Sequence, residues 1–177
     1  YVYFYVFFIF FREILQYEKS FVYCVVSCED DFKNVSNQFK NLTNSSGVIV
    51  NITSNIDIAH SGSVLDFNSR NKTMVIFGNG FNITKVKPDL RGENHFLNCG
   101  NNSSVLMSDL RISGFNTAIN NYGECIFENI TFDRNQLKYI QMWDYGGAIK
   151  NFGDLECYNC TFVNNFAQYG GAVYSNG

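Results

Sequence analysis

Apolar side chains in the second half of the chain recur in pairs two residues apart, the pairs joined by a step of three. Val105, Met107, Leu110 and Ile112 form one copy; Cys125, Phe127, Ile130 and Phe132 repeat it 20 residues on; Leu155, Cys157, Cys160 and Phe162 repeat it after another 30. A spacing of two places both side chains on one face of a pleated strand. The step of three adds one residue, Asn129 or Asn159 in the later copies, and predicts a corner between two short strands. Asn suits that corner, because it tolerates left-handed backbone and its amide can bond its counterpart in the next copy.

A second motif interleaves with the first. Thr117-Ala118-Ile119-Asn120-Asn121-Tyr122-Gly123 aligns with Gly147-Ala148-Ile149-Lys150-Asn151-Phe152-Gly153, and Gly171-Ala172-Val173-Tyr174 follows 24 residues after the latter begins. The two motifs share the 30-residue step, and the second recurs after 24, which gives a repeat of about 24 residues with six extra residues between Asn135 and Gly146. A strand–corner–strand unit repeated in this way predicts an all-β chain wound as a right-handed parallel β-helix, each coil about 4.8 Å above the last. Like positions should then stack: Val105 with Cys125 and Leu155, Ile112 with Phe132 and Phe162, Leu110 with Ile130 and Cys160. The paired glycines, Gly146-Gly147 and Gly170-Gly171, predict tight corners, and Ala148 and Ala172 a crowded interior.

Upstream the register is looser. Residues 47–52, 63–67 and 73–77 read as short strands, and Gly78-Asn79-Gly80 as a turn. Phe32, Val35, Phe39 and Leu42, at steps of three and four, predict a short amphipathic helix that caps the N-terminal end of the stack. This divides the chain into a hydrophobic, leader-like segment at 1–29 and a β-helix domain at 30–177. Within that domain 30–44 form the capping helix and its turn, and 104–177 carry the clearest repeats. The last Gly-Gly-Ala-Val opens a strand at the very end of the chain, which predicts that coils continue beyond residue 177.

Composition narrows the chemistry. A net charge of −3 with no clustered Lys or Arg argues against nucleic acid as partner. His60 and His95 stand apart in sequence, so no metal site and no cofactor is expected. Six cysteines are few for a disulfide scaffold of 177 residues. By the repeat, Cys125 stacks on Leu155 and Cys157 on Phe127, so Cys125, Cys157 and Cys160 are expected to be small core hydrophobes not bonded to one another. The run YVYFYVFFIFF at 1–11 would span only about 16 Å as a helix, short of a bilayer core, and reads as part of a signal peptide. Ten Asn-x-Ser/Thr triplets fit an exported glycoprotein.

Tyr145-Gly146-Gly147-Ala148-Ile149, Cys160-Thr161-Phe162-Val163-Asn164-Asn165 and Gly170-Gly171-Ala172-Val173 together resemble the GGA[ILV] and FxxN repeats of two groups of surface proteins. These are the chlamydial polymorphic outer-membrane proteins and the adhesin-like surface proteins of methanogenic archaea. Phe132-Asp133-Arg134-Asn135 is a second FxxN. The resemblance implies a pectin-lyase-like β-helix on the cell surface or outer envelope, anchored outside this stretch and serving in adhesion. Asn129, Phe132, Asn135, Gly146, Gly147, Ala148, Asn159, Phe162, Asn165, Gly170, Gly171 and Ala172 would be its structural repeat positions.

A polysaccharide lyase or glycoside hydrolase on the same architecture is the competing reading, and a structural envelope component a third. Catalysis would need convergent carboxylates. The repeat instead aligns Asp109 with Asn129 and Asn159, and Glu128 with Tyr158, so no catalytic residues are assigned. The six-residue insertion is the candidate binding element. It carries Tyr139, Met142, Trp143 and Tyr145 where a plain loop would carry Ser, Asn and Gly, and exposed aromatics suit a glycan or a protein partner.

Overall fold

Short strands dominate because apolar residues alternate with polar ones over three to eleven positions and are then stopped by Asn, Gly or Ser. The computed structural model describes residues 21–40, 42, 45–68, 71–86, 94–136 and 145–176. In chain order they form β1 (Phe21–Val26), α1 (Asp31–Lys40), β2 (Gly47–Ile52), β3 (Ile56–Ile58), β4 (Leu65–Phe67), β5 (Lys72–Phe77), β6 (Asn82–Lys85), β7 (Leu97–Cys99) and β8 (Ser103–Ser113). β9 (Ile119–Asn121), β10 (Glu124–Asp133), β11 (Ile149–Asn151), β12 (Asp154–Tyr158), β13 (Thr161–Val163) and β14 (Val173–Ser175) follow.

Two parallel sheets take these strands in turn. The larger runs β1-β2-β5-β8-β10-β12, with β3, β6 and β13 attached; the smaller runs β4-β7-β9-β11-β14. Every strand pair is parallel, and the chain passes repeatedly from the larger sheet to the smaller and back. Registers match the repeat: Val105 faces Cys125, which faces Leu155, and Ile112 faces Phe132, which faces Phe162. Leu110 pairs with Ile130, and Cys160 donates its S–H to the Phe127 carbonyl 3.7 Å away. Between the sheets lies one core, with Val105, Cys125, Ile112, Phe127 and Phe132 fully buried.

The corner between the apolar pairs is built as its residue types dictate. Asn79, Asp109, Asn129 and Asn159 all adopt left-handed backbone, φ 53°, 54°, 54° and 50°. Their side chains connect neighbouring strands of the larger sheet: Asn129 Nδ2 donates to Asp109 Oδ1 at 3.1 Å and Asn159 Nδ2 to Asn129 Oδ1 at 2.5 Å. The FxxN asparagines form a second ladder, Asn135 Nδ2 donating to Asn165 Oδ1 at 3.0 Å while Asn165 Nδ2 caps the Phe132 carbonyl at 2.9 Å. Gly146 and Gly170 are left-handed, and a Cβ on Gly147 would lie 2.1 Å from the Gly171 carbonyl oxygen. Ala148 is fully buried, whereas Ala172 is half-buried.

α1 covers part of the residue range expected of the cap and buries the expected stripe. Phe32, Val35 and Phe39 are in the core, Phe39 against Phe67 with centroids 4.6 Å apart, and the helix packs against β1, β2 and β4. Asp31 sets its start by accepting hydrogen bonds from the Ser27 and Cys28 amides at 2.8 and 3.0 Å. Three differences from the sequence reading stand out. Phe21–Val26, placed in the leader-like segment, is β1, in register with β2, so the sheet already includes residue 21. β3, β6 and β7, three or four residues each, carry too little pattern to be read. Cys157 is exposed and Cys160 half-buried rather than core, because β12 and β13 pair only with β10 among the described residues. Among those residues no helix is long and apolar enough to cross a membrane.

Candidate functional site

The smaller sheet turns one residue of each three-residue strand away from the core, and registers align these into a row. Asp66 pairs with Asn98, Asn98 with Asn120, Asn120 with Lys150, and Lys150 with Tyr174. The flanking positions, Leu65, Leu97, Ile119 and Ile149 on one side, are buried core. Such a row, one rung per strand, is a consequence of period-two alternation in stacked strands.

Aromatic rings collect at the Lys150 end of this row. Ahead of the strands Tyr145 stacks on Tyr169, centroids 5.2 Å apart, and leans on Tyr174 at 4.4 Å. After the strands Tyr122 stacks on Phe152 at 5.2 Å, and Phe152 meets Tyr174 edge-on at 6.1 Å. The Lys150 ammonium sits over both groups, 5.3 Å from the Phe152 ring and 5.9 Å from Tyr145. Tyr122 and Tyr169 remain over two-fifths exposed, 42% and 43%. Partial burial and the neighbouring Tyr174 and Tyr169 phenols push the Tyr145 hydroxyl up, so it stays a neutral donor at physiological pH.

At the other end the row opens on a depression of about 420 Å³ lined by Asp66, Phe67, Asn68, Asn98, Gly100, Asn101 and Tyr122. Asn98 Nδ2 donates to Asp66 Oδ1 at 3.2 Å. The side-chain oxygens of Asn98 and Asn120 are buried and find no donor among the described residues, an expense that well-packed proteins usually avoid. Tyr122 thus belongs both to the ring cluster and to the polar depression. The exposed part of this face offers flat ring surfaces, the Lys150 cation, the Asp66 carboxylate and the amides of Asn68 and Asn101.

Of the candidate binding residues, Tyr145 lies in this cluster; Tyr139, Met142 and Trp143 lie outside the described residues. The insertion itself is bracketed by two bridges, Gln136 to Phe166 and Tyr145 to Tyr169. Tyr122, Lys150, Phe152, Tyr169 and Tyr174 were not singled out from sequence. The signal was present, however: in two of the short strands the closing Asn is followed by an aromatic, Asn121-Tyr122 and Asn151-Phe152, 30 residues apart.

Carboxylates elsewhere do not build a comparable site. Glu128 is buried, and desolvation together with the Asp109 charge pushes its carboxyl up; neither residue lines the depression beside Asp66 or the hollow beside α1. A second hollow of about 330 Å³ beside α1 holds Glu29, Lys33 and His60, whose polar atoms already have partners: His60 Nδ1 lies 2.6 Å from Glu29 Oε1, and Lys33 donates to Asp30 at 2.8 Å. Among the described residues no three His, Cys, Asp or Glu converge as a metal would require. No family model, no curated protein and no solved structure matches the chain.

Proposed function

We propose that the protein is a non-enzymatic, adhesin-like cell-surface rod, a right-handed parallel β-helix, that attaches to extracellular glycan through the outer face of its smaller sheet. The single observation that carries this reading is the ring cluster of Tyr122, Tyr145, Phe152, Tyr169 and Tyr174 around Lys150, continuous with the Asp66–Asn98–Asn120 row. Aromatic faces stack on the apolar faces of sugar rings, while amides and carboxylates bond their hydroxyls, and the rung spacing of about 4.8 Å is close to the length of one pyranose unit. A stiff stack of parallel strands suits holding such a face away from a cell. The alternating passage between two parallel sheets and the stacked Asn corners support the β-helix winding. The sequons and the resemblance to adhesin-like repeats agree with an exported, surface-held chain.

The test is binding of the full chain to a panel of immobilised neutral and acidic polysaccharides, alongside Tyr122→Ala, Tyr169→Ala and the double variant. Each exposed ring should contribute about tenfold in affinity, with the melting temperature within about 2 °C of the parent. Undiminished binding in the double variant would sink the assignment of this face. Binding confined to protein ligands would overturn the glycan reading, and release of reducing ends from the polysaccharides would favour the hydrolase reading instead.

A further inference from the structure

Cys99 ends β7 in the smaller sheet and Cys125 lies near the start of β10 in the larger; both are fully buried. Repeat alignment gave Cys125 no thiol above or below it, and its vertical neighbours are indeed Val105 and Leu155. The approach comes sideways, across the core. The turn at Tyr122-Gly123 carries the chain from β9 to β10 and lays the start of β10 against the Cys99 sulfur. Cys99 Sγ lies 3.5 Å from the Ser103 carbonyl oxygen and 3.9 Å from that of Glu124, the residue before Cys125. A Cβ on Gly123 would sit 3.0 Å from Cys99 Sγ, so the missing side chain leaves the sulfur its place.

We propose that Cys99 and Cys125 are oxidised to a disulfide that ties the two sheets together across the core. The Cys99 sulfur lies against the peptide that joins Glu124 to Cys125, so the two buried cysteines are neighbours across the core. In the folded chain the neighbouring Cys125 thiol lowers Cys99 against the opposing effect of burial, and burial pushes Cys125 up. With glutathione disulfide as oxidant, the Cys99 thiolate attacks one of its sulfurs and displaces a glutathione thiolate. The Cys125 thiolate then attacks the Cys99 sulfur and displaces the second. Two electrons pass from the cysteines to glutathione, and the two cysteine protons end on the two glutathione thiols. The bridge forms before the core closes over it, and afterwards burial shields it from reductants. Cys157 and Cys160, three positions apart in sequence and at least partly exposed, are a pair open to reduction and not part of the proposal.

The test is refolding of the reduced, denatured full chain in a glutathione redox buffer, followed by acid quench, alkylation and peptide mapping. A Cys99–Cys125 linked peptide is the expected product, also in the Cys157→Ser/Cys160→Ser variant. Reduction should lower the melting temperature by roughly 10 °C, the effect of freeing a closed loop of this length in a chain this size. The Cys99→Ala/Cys125→Ala variant should show no such dependence on reductant; if that variant fails to fold, the peptide map of the parent decides alone. Recovery of Cys99 and Cys125 both alkylated, or bridged to other cysteines, would overturn the proposal.

Discussion

Asp133 holds two guanidinium groups at once, Arg111 Nη2 at 2.7 Å and Arg134 Nε at 2.8 Å, and is itself only 3% exposed. Burial alone would raise its carboxyl, but the hydrogen bonds and charges of Arg111 and Arg134 outweigh that and hold it below the usual carboxylate range. A depressed folded-state pKa stabilises the fold above the unfolded value, near 4, and the contribution is lost as pH falls through the folded value. Both arginines are substantially exposed, so removing the carboxylate leaves them hydrated rather than stranded. Asp133→Ala should therefore cost about 1–2 kcal/mol at pH 7, less than the loss of a partner to a fully buried charge. Urea unfolding of parent and variant at pH 7 and pH 2.5 checks this; the gap should narrow at the lower pH. An equal gap at both would show that packing, not the ion pair, holds Asp133. Arg134 also occupies left-handed backbone, φ 51°, where the equivalent earlier residue is Gly114, φ 77°, and the later one Asn164, φ 54°. The position before each FxxN asparagine is a corner, whatever side chain sits there.

Insertions leave the elements around them intact when both ends return to register. The bridges Gln136–Phe166 and Tyr145–Tyr169 set residues 137–144, eight in number, opposite Ala167 and Gln168, two, which leaves the six extra residues read from the repeat. Replacing 137–144 by Ala-Gln should accordingly keep the parallel ladders, with circular dichroism unchanged and the melting temperature within about 5 °C of the parent. Collapse of the fold on this exchange would mean that the segment holds up its neighbours. The repeat was legible here because Gly-Gly-Ala and FxxN recur with side-chain chemistry that only a corner or a core position rewards. Strands β3, β6 and β7 were not legible, since three or four residues are too few for alternation to be told from chance. β1 was hidden by its composition: Phe-Val-Tyr-Cys-Val-Val reads as a continuous apolar run, yet Tyr23 and Val25 are 60% and 54% exposed while Val26 is buried. The ring cluster escaped because its members come from separate strands of the smaller sheet and from the segments at either end of them. Only stacking brings Tyr122 beside Phe152 and Tyr145 beside Tyr169.

In the proposed solenoid each strand is held chiefly by the strand on either side, so stability is a sum of neighbour terms along the stack. β10 is flanked by β8 on one side and by β12 and β13 on the other, and its inward residues Cys125, Phe127, Ile130 and Phe132 are all fully buried. β12 and β13 have β10 on one side only among the described residues, and Leu155, Cys160 and Phe162 are partly open. The same chemical change should therefore have different reach at the two places. Phe127→Ala removes a ring from the middle of the core and should lower the stability of the whole molecule by about 3–5 kcal/mol. Phe162, whose ring stacks on Phe132 at 5.1 Å, lies in β13, an outermost described strand of the larger sheet. Phe162→Ala should speed amide exchange over residues 154–176 and leave the protection of β5 and β8 unchanged. Hydrogen exchange read by mass spectrometry separates the two cases. Equal acceleration across both sheets in Phe162→Ala would mean that the molecule unfolds as one cooperative block, and the nearest-neighbour description would fail with it.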